Sequence, residues 1–204
     1  NPSEREVFLA QLSALDFAEI GSLLAETGTT SADEKPEARA RRAAQPRKLV
    51  RLPNSPQEMA ERHEASRQGE QLLADGKVGI ILVAGGQGSR LGFDHPKGMF
   101  PIGPVSDNTL FQLLIEQAVA RSRRAGVTIP YYVMTSDATH DETIEFFGQH
   151  EYFGLDESAV RFFRQGNMPA VDAGTGRLLL AAPGRLAMSP DGHGGMLAAL
   201  QQAQ

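Results

Sequence analysis

Residues 78–92 read Val78-Gly79-Ile80-Ile81-Leu82-Val83-Ala84-Gly85-Gly86-Gln87-Gly88-Ser89-Arg90-Leu91-Gly92, and Pro96-Lys97-Gly98 follows. The run 78–84 carries no charge and does not alternate, which is the pattern of a strand buried on both faces of a parallel sheet. It feeds straight into a loop with glycines at 85, 86, 88 and 92. Glycine lets backbone amides turn toward a ligand and lets phosphates approach with no β-carbon in the way. Arg90 and Lys97 then add positive charge beside those amides. A strand, a glycine loop and two cations in this order predict a site that grips a nucleoside triphosphate.

Working outward, strand and helix alternate. Thr109 to Arg124 reads as a helix capped by Asp107 or Asn108, with Leu110, Leu113, Leu114 and Ala118 on one face. Tyr131 to Met134 reads as a strand, and Thr139 to Gln149 as a helix with Ile144, Phe146 and Phe147 inward. Val160 to Phe163 is a third strand. Leu178 to Leu180 is expected to pair with residues near 168–172 across the Gly174–Gly176 turn, and a helix starts at Met196. This order implies an α/β fold with an open, mixed but mostly parallel, Rossmann-like sheet. Ligands of such sheets bind beyond the carboxyl ends of the strands, where the glycine loop falls.

On the amino-terminal side, residues 4–26 show helical spacing of apolar side chains, and 56–75 are helical up to a cap at Gly76. Between them, 27–47 are rich in Ala, Arg, Glu, Thr and Pro and read as a mobile connector, with Arg39, Arg41 and Arg42 solvated. The expected division is a helical segment over 1–76 and a nucleotide-binding α/β domain over 77–204.

Composition narrows the function classes. The chain has 204 residues, 41% hydrophobic and 22% charged, enough for one domain with a sizeable core. Its 20 Lys plus Arg are outweighed by 25 Asp plus Glu, a net charge of −5 that argues against a general nucleic-acid surface. With no cysteine, disulfides, thiolate metal sites and cysteine nucleophiles are excluded, which fits a cytoplasmic location. No apolar run approaches the ~20 residues of a membrane helix, so no membrane partner is expected. A start at Asn1-Pro2 reads as a trimmed end. His63, His95, His140 and His150 lie apart without ligand spacing and are assigned to surface, cap or packing roles, and no metal-ligand cluster is visible.

Three glycine-loop patterns compete. In a dinucleotide fingerprint a third glycine or alanine belongs where Leu91 stands, and a P-loop needs a Gly-Lys-Ser/Thr that follows the strand. The pattern that fits is Gly-Gly-x-Gly-Ser/Thr-Arg-Leu with Pro-Lys within about ten residues. With it the chain resembles the sugar-nucleotide pyrophosphorylases, and among them the uridylyltransferases of the UDP-N-acetylglucosamine pyrophosphorylase type. The resemblance runs through Ser106 with Thr109-Leu110-Phe111-Gln112, Met134-Thr135-Ser136 with Thr139 and Thr143, and Tyr152-Phe153-Gly154-Leu155. It continues through Gln165-Gly166 and Met168-Pro169-Ala170 to Ser189-Pro190-Asp191-Gly192-His193-Gly194-Gly195. Family chains are commonly about twice this length, so the chain is expected to be an amino-terminal half and its domain incomplete.

The resemblance implies a nucleotide-diphospho-sugar transferase fold and a reaction in which UTP and a sugar 1-phosphate, first of all N-acetylglucosamine 1-phosphate, give a UDP-sugar and pyrophosphate. It implies triphosphate contacts from Gly86, Gln87, Gly88 and Ser89, with Arg90 on the departing pyrophosphate and Lys97 on the α-phosphate as the catalytic cations. Gln165 and the backbone of Gly192 would read the uracil edge, with Gly85 stacked beneath the base. The family usually has Asn where this chain has His193, at the sugar, so glucose and galactose 1-phosphate stay open as substrates. Ser89 stands where threonine is usual and Asn108 where lysine is common. Mg²⁺ is implied as the companion of a triphosphate, with the metal-binding aspartate beyond residue 204. A monomer is favoured. A UTP-binding module without turnover is the alternative.

Overall fold

The computed structural model describes residues 2–29 and 49–203. The connector expected at 27–47, with Arg39, Arg41 and Arg42, lies outside the described residues except for its first few positions, which close a helix. Contacts divide the chain into two compact units, Asn1–Leu52 with Met168–Ser189, and Pro53–Asn167 with Pro190–Gln204.

In the first unit, α1 (Pro2–Ser13) and α2 (Phe17–Thr29) are separated by Asp16, whose carboxylate accepts from the amides of Ala18 and Glu19 at 2.9 Å and starts the second helix. The rest of the unit is hairpin. Val171 bridges Leu178, and Leu179 N–H donates to Ala170 O at 2.9 Å, so the expected turn over 174–176 forms. Leu180 then leaves this ladder: β5 (Leu180–Ala182) pairs antiparallel with β6 (Arg185–Leu186) around Gly184, which has φ +70°. Leu186 is the buried residue of this small sheet, and its amide donates to Gln11 Oε1 of α1 at 3.1 Å.

The second unit carries the sheet. It opens with α3 (Pro56–Ala74), capped by Ser55, whose hydroxyl accepts from Glu58 N–H, and closed at Gly76 (φ +67°), with Lys77 N–H on Leu72 O. Then come β1 (Ile80–Val83), α4 (Leu110–Ala125), β2 (Tyr131–Thr135), α5 (His140–Gln149) and β3 (Val160–Arg164). The three strands are parallel in the order β1-β2-β3, in register from Ile80 opposite Tyr131 and Tyr131 opposite Val160. Alternate side chains divide between the two faces, as a pleated strand requires. Val133 and Tyr131 join Phe111, Ile115, Phe147 and Val160 in one core beneath α4 and α5. Met134 and Phe163 join Ala199 in the other, beneath α6 (Met196–Gln202). The two strands β4 (Asn167–Pro169) and β7 (Met188–Pro190) pair with each other.

Two details of α4 differ from the sequence reading. Its cap is Thr109, whose hydroxyl accepts from Gln112 N–H at 3.2 Å, and not Asp107 or Asn108. Those two residues are taken by a tight turn: Asp107 has φ +53° and donates to Gly103 O, while Asn108 O accepts from both Ile102 and Gly103. The buried stripe is Phe111, Ile115 and Ala118, with Leu113 and Leu114 half-buried beside it. Of the inward residues expected on α5, Phe147 is fully buried and Ile144 and Phe146 are half-buried.

After α5, Glu151, Tyr152 and Phe153 all take left-handed backbone, with φ of 50°, 51° and 54°. That conformation costs on the order of 1 kcal/mol for each side-chain-bearing residue. It is held by ring packing: Phe153 lies 5.7 Å from Phe147 and stacks on His150 at 5.0 Å. No single described helix is long and apolar enough to cross a membrane.

Candidate active site at the carboxyl ends of the strands

The loop after β1 doubles back on itself. Gly88 N–H donates to His95 O and Lys97 N–H to Gly86 O, both at 2.9 Å, with Gln87 and Pro96 bridged between them. The two limbs cross so closely at Gly88 that a β-carbon there would lie 2.7 Å from Phe93 O and 2.8 Å from the Phe93 ring. Gly88 is therefore a structural requirement and is buried under the loop. A second crossing fixes the far limb: a β-carbon on Gly98 would collide with the Phe111 ring of α4. From the same loop, His95 Nδ1 is hydrogen-bonded to the Glu142 carboxylate of α5. Held at these points, Lys97 Nζ lies 3.6 Å from where a β-carbon on Gly86 would stand.

The result is a cavity of about 370 Å³ lined by Gly85, Gly86, Gln87, Ser89, Arg90 and Lys97 from this loop, with Ser136, Ala138 and Pro190. Six of the ten residues singled out in the sequence therefore share one cavity. It stands at the carboxyl ends of the strands, the place expected of an open α/β sheet. Among the described residues, nothing accepts from the backbone amides of Gly86, Gln87, Ser89 and Arg90. Neither Arg90 nor Lys97 forms an ion pair among those residues, and no carboxylate lines the cavity. Backbone amides without partners beside two unpaired cations are the ingredients of an anion site.

Gln165, the residue after β3, is 9% exposed. Its amide N–H donates to Thr135 O at 2.8 Å, and its side chain lies against Gly85. The following Gly166 and the later Gly195 both face the Asp191 carboxylate, and a β-carbon on either would overlap it. Asp191 N–H also donates to Gly166 O at 3.0 Å. The Asp191 backbone thus ties the turn that carries Gln165 to the chain entering the turn 192–195, while its carboxylate packs between the two glycines with Oδ1 buried and without a hydrogen-bond partner among the described residues. Gly192 has φ +75° and begins that turn without lining the cavity; the His193 side chain lies outside the described set.

The residues missed in the sequence are Ser136, Ala138 and Pro190. Ser136 had a signal in the Thr135-Ser136-x-x-Thr139 pattern at a strand end, where short hydroxyl side chains bond to nearby backbone. Elsewhere in this unit, His63 is exposed and His150 packs against Phe146 and Phe153. His140 Nδ1 is 2.7 Å from Thr135 Oγ1, and burial, then the Arg164 charge, pushes its pKa down. No group of three or more His, Asp or Glu side chains that could hold a metal occurs among the described residues. A larger groove of about 1010 Å³ runs between α3 and α4, at the amino ends of β1 and β2, lined by Leu73, Val78, Ile80 and Ile129. It stands at the wrong end of the sheet for this chemistry.

Comparison with known proteins shows the family. Residues 30–204 match the sequence profile of a family described as UTP–glucose-1-phosphate uridylyltransferase. The UDP-N-acetylglucosamine diphosphorylase 1 of Arabidopsis thaliana is 39% identical over 153 residues, 70% of this chain and 30% of that protein. The UDP-N-acetylhexosamine pyrophosphorylase-like protein 1 of Xenopus tropicalis is 37% identical over 216 residues, 98% of this chain and 40% of that protein. Among solved structures, the uridine diphosphate N-acetylglucosamine pyrophosphorylase of Trypanosoma brucei, in complex with an inhibitor, superposes with a TM-score of 0.75 at 28% identity. That match covers 98% of this chain and 40% of the other. The chain thus spans well under half the length of the relatives it matches. With the profile match over most of its length and the same fold in a solved relative, the chain belongs to the UTP–glucose-1-phosphate uridylyltransferase family.

Proposed function

We propose that this chain is the UTP-binding portion of a uridylyltransferase that joins UTP to a sugar 1-phosphate, N-acetylglucosamine 1-phosphate foremost, and releases pyrophosphate. One observation carries the reading: four residues whose backbone amides lack partners, Gly86, Gln87, Ser89 and Arg90, line one cavity at the strand ends with the unpaired Lys97, and a side-chain amide packs against its first glycine. The family profile and the names of the relatives support it.

In the reaction, a phosphate oxygen of the sugar 1-phosphate attacks the α-phosphorus of UTP. The bond to the β-phosphate bridging oxygen breaks, and that oxygen leaves with pyrophosphate. The protein's work is positioning and charge stabilisation. Amides of Gly86 to Arg90 hold the β- and γ-phosphates. The planar guanidinium of Arg90 takes up charge as pyrophosphate forms, and Lys97, a point charge, neutralises the α-phosphate. Gln165 can donate and accept at once, which suits the mixed edge of uracil, with the Gly192 backbone as its partner. His193 in place of the usual Asn would act at the sugar, and glucose 1-phosphate is the competing acceptor.

A triphosphate is handled as its Mg²⁺ complex. The described residues offer no three-donor cluster for that ion, so no step is assigned to it. The absence of cysteine supports a reducing compartment such as the cytoplasm, and a monomer is the working state.

Calorimetric titration with UTP, CTP, ATP and GTP tests the binding claim: UTP is expected to bind at least tenfold more tightly than the others. Equal affinity for all four would contradict it. Assays of pyrophosphate release with UTP and a panel of sugar 1-phosphates then test turnover. UTP binding without release would favour a binding module, the second reading that coverage of about 40% of the relatives brings forward.

A further inference from the structure

The motif Thr135-Ser136-x-x-Thr139 has no part in the function proposed above, and its hydrogen bonds give it one. Thr139 is fully buried, and Ser136, 6% exposed, lines the cavity. Thr139 Oγ1 receives the Ser136 N–H at 3.0 Å, lies 3.0 Å from Ser136 Oγ, and has two carbonyl acceptors in reach, Ala84 O at 3.3 Å and the longer Ser136 O at 3.5 Å. A hydroxyl has one proton to give. Ala84 is buried, and among the described residues no other donor reaches its carbonyl, so withholding that proton would strand a buried acceptor at a cost of about 1–3 kcal/mol. The Thr139 proton therefore goes to Ala84, and Ser136 Oγ–H donates to Thr139. Ser136 Oγ keeps only lone pairs for the cavity. It is an acceptor there, which makes it a poor partner for phosphate and a good one for a hydroxyl.

Ser136 follows β2, the central strand, between the loop after β1 and Gln165 after β3. A nucleotide with its base at Gly85 and Gln165 and its phosphates at Gly86 to Arg90 spans this strand end with its ribose. Resting on the UTP reading above, we infer that Ser136 accepts a hydrogen bond from a ribose hydroxyl, and that the Thr139–Ala84 relay fixes it as an acceptor. Ser136 is thereby a specificity residue for ribonucleotides.

The test is calorimetric titration of the protein with UTP, 2′-deoxy-UTP and 3′-deoxy-UTP, before and after Ser136→Ala. One of the two deoxy analogues is expected to bind the unaltered protein roughly three- to tenfold more weakly than UTP. Ser136→Ala should weaken UTP by the same factor and leave that analogue unchanged. If Ser136→Ala does not fold, the unaltered protein decides alone. Both analogues binding as tightly as UTP would overturn the assignment, as would a variant that weakens all three ligands equally. Failure of UTP itself to bind the unaltered protein would instead overturn the reading beneath it.

Discussion

The Gln165 side chain occupies the space that a β-carbon on Gly85 would need: that carbon would lie 2.7 Å from Oε1. The residue after β3 is thus packed against the first glycine of the loop after β1, and under the proposed function uracil sits at this contact. Gly85→Ala is expected to displace the amide and weaken UTP binding by roughly tenfold while eroding preference over CTP. Gly86→Ala meets only ordinary contacts, the nearest being Lys97 Nζ at 3.6 Å. It should fold normally and lose UTP affinity because its methyl stands where phosphate approaches. Calorimetry with thermal melts of both variants checks the contrast.

Removing charge from the cavity gives a second expectation. Arg90→Met and Lys97→Met should each lower UTP affinity by roughly ten- to a hundredfold, as lost charged hydrogen bonds do. Neither residue is in an ion pair among those described, so melting temperatures should stay within a degree or two. Titration with UTP and with uridine separates the effects, since uridine affinity should not change.

The Gly98–Phe111 crossing holds the limb that carries Lys97. Gly98→Ala is expected to destabilise the fold by about 1–3 kcal/mol through overpacking. Phe111→Leu leaves room for the added methyl, so the double variant should be more stable than the sum of the single changes predicts. Urea denaturation of the three variants completes the cycle.

His140 makes stability pH-dependent. Burial, then the Arg164 charge, depresses its pKa in the folded state below the ordinary 6.5. As the pH falls through 6.5 the unfolded chain takes up the proton first, so stability declines until the folded imidazole protonates too. His140→Gln should lose less melting temperature than the unaltered protein between about pH 7.5 and about pH 5.5. Parallel slopes would show that other groups govern acid stability.

What could be read in advance follows from how local each signal is. The apolar run 78–84, the glycine loop and the helix–strand alternation are written in consecutive residues, and they placed the parallel strands correctly, with β1 itself confined to Ile80–Val83. The cap of α4 was misread because Asp107 and Asn108 are also good turn formers, and the turn to Gly103 claims them first. Phe111 looked no different from Leu110, yet only Phe111 faces Gly98. The left-handed run at 151–153 carries no glycine within it; ring packing on Phe147 of α5 and on His150 holds it. The hydroxyl relay joins Ala84, Ser136 and Thr139 from two strand ends, so its proton order exists only once the sheet has formed.

A crystal structure of the protein soaked with UTP tests the central claim most directly. The account predicts the triphosphate seated on the amides of Gly86 to Arg90 with Lys97 at the α-phosphate, and uracil between Gly85 and Gln165. Phosphates bound elsewhere, for example in the groove between α3 and α4, would contradict it.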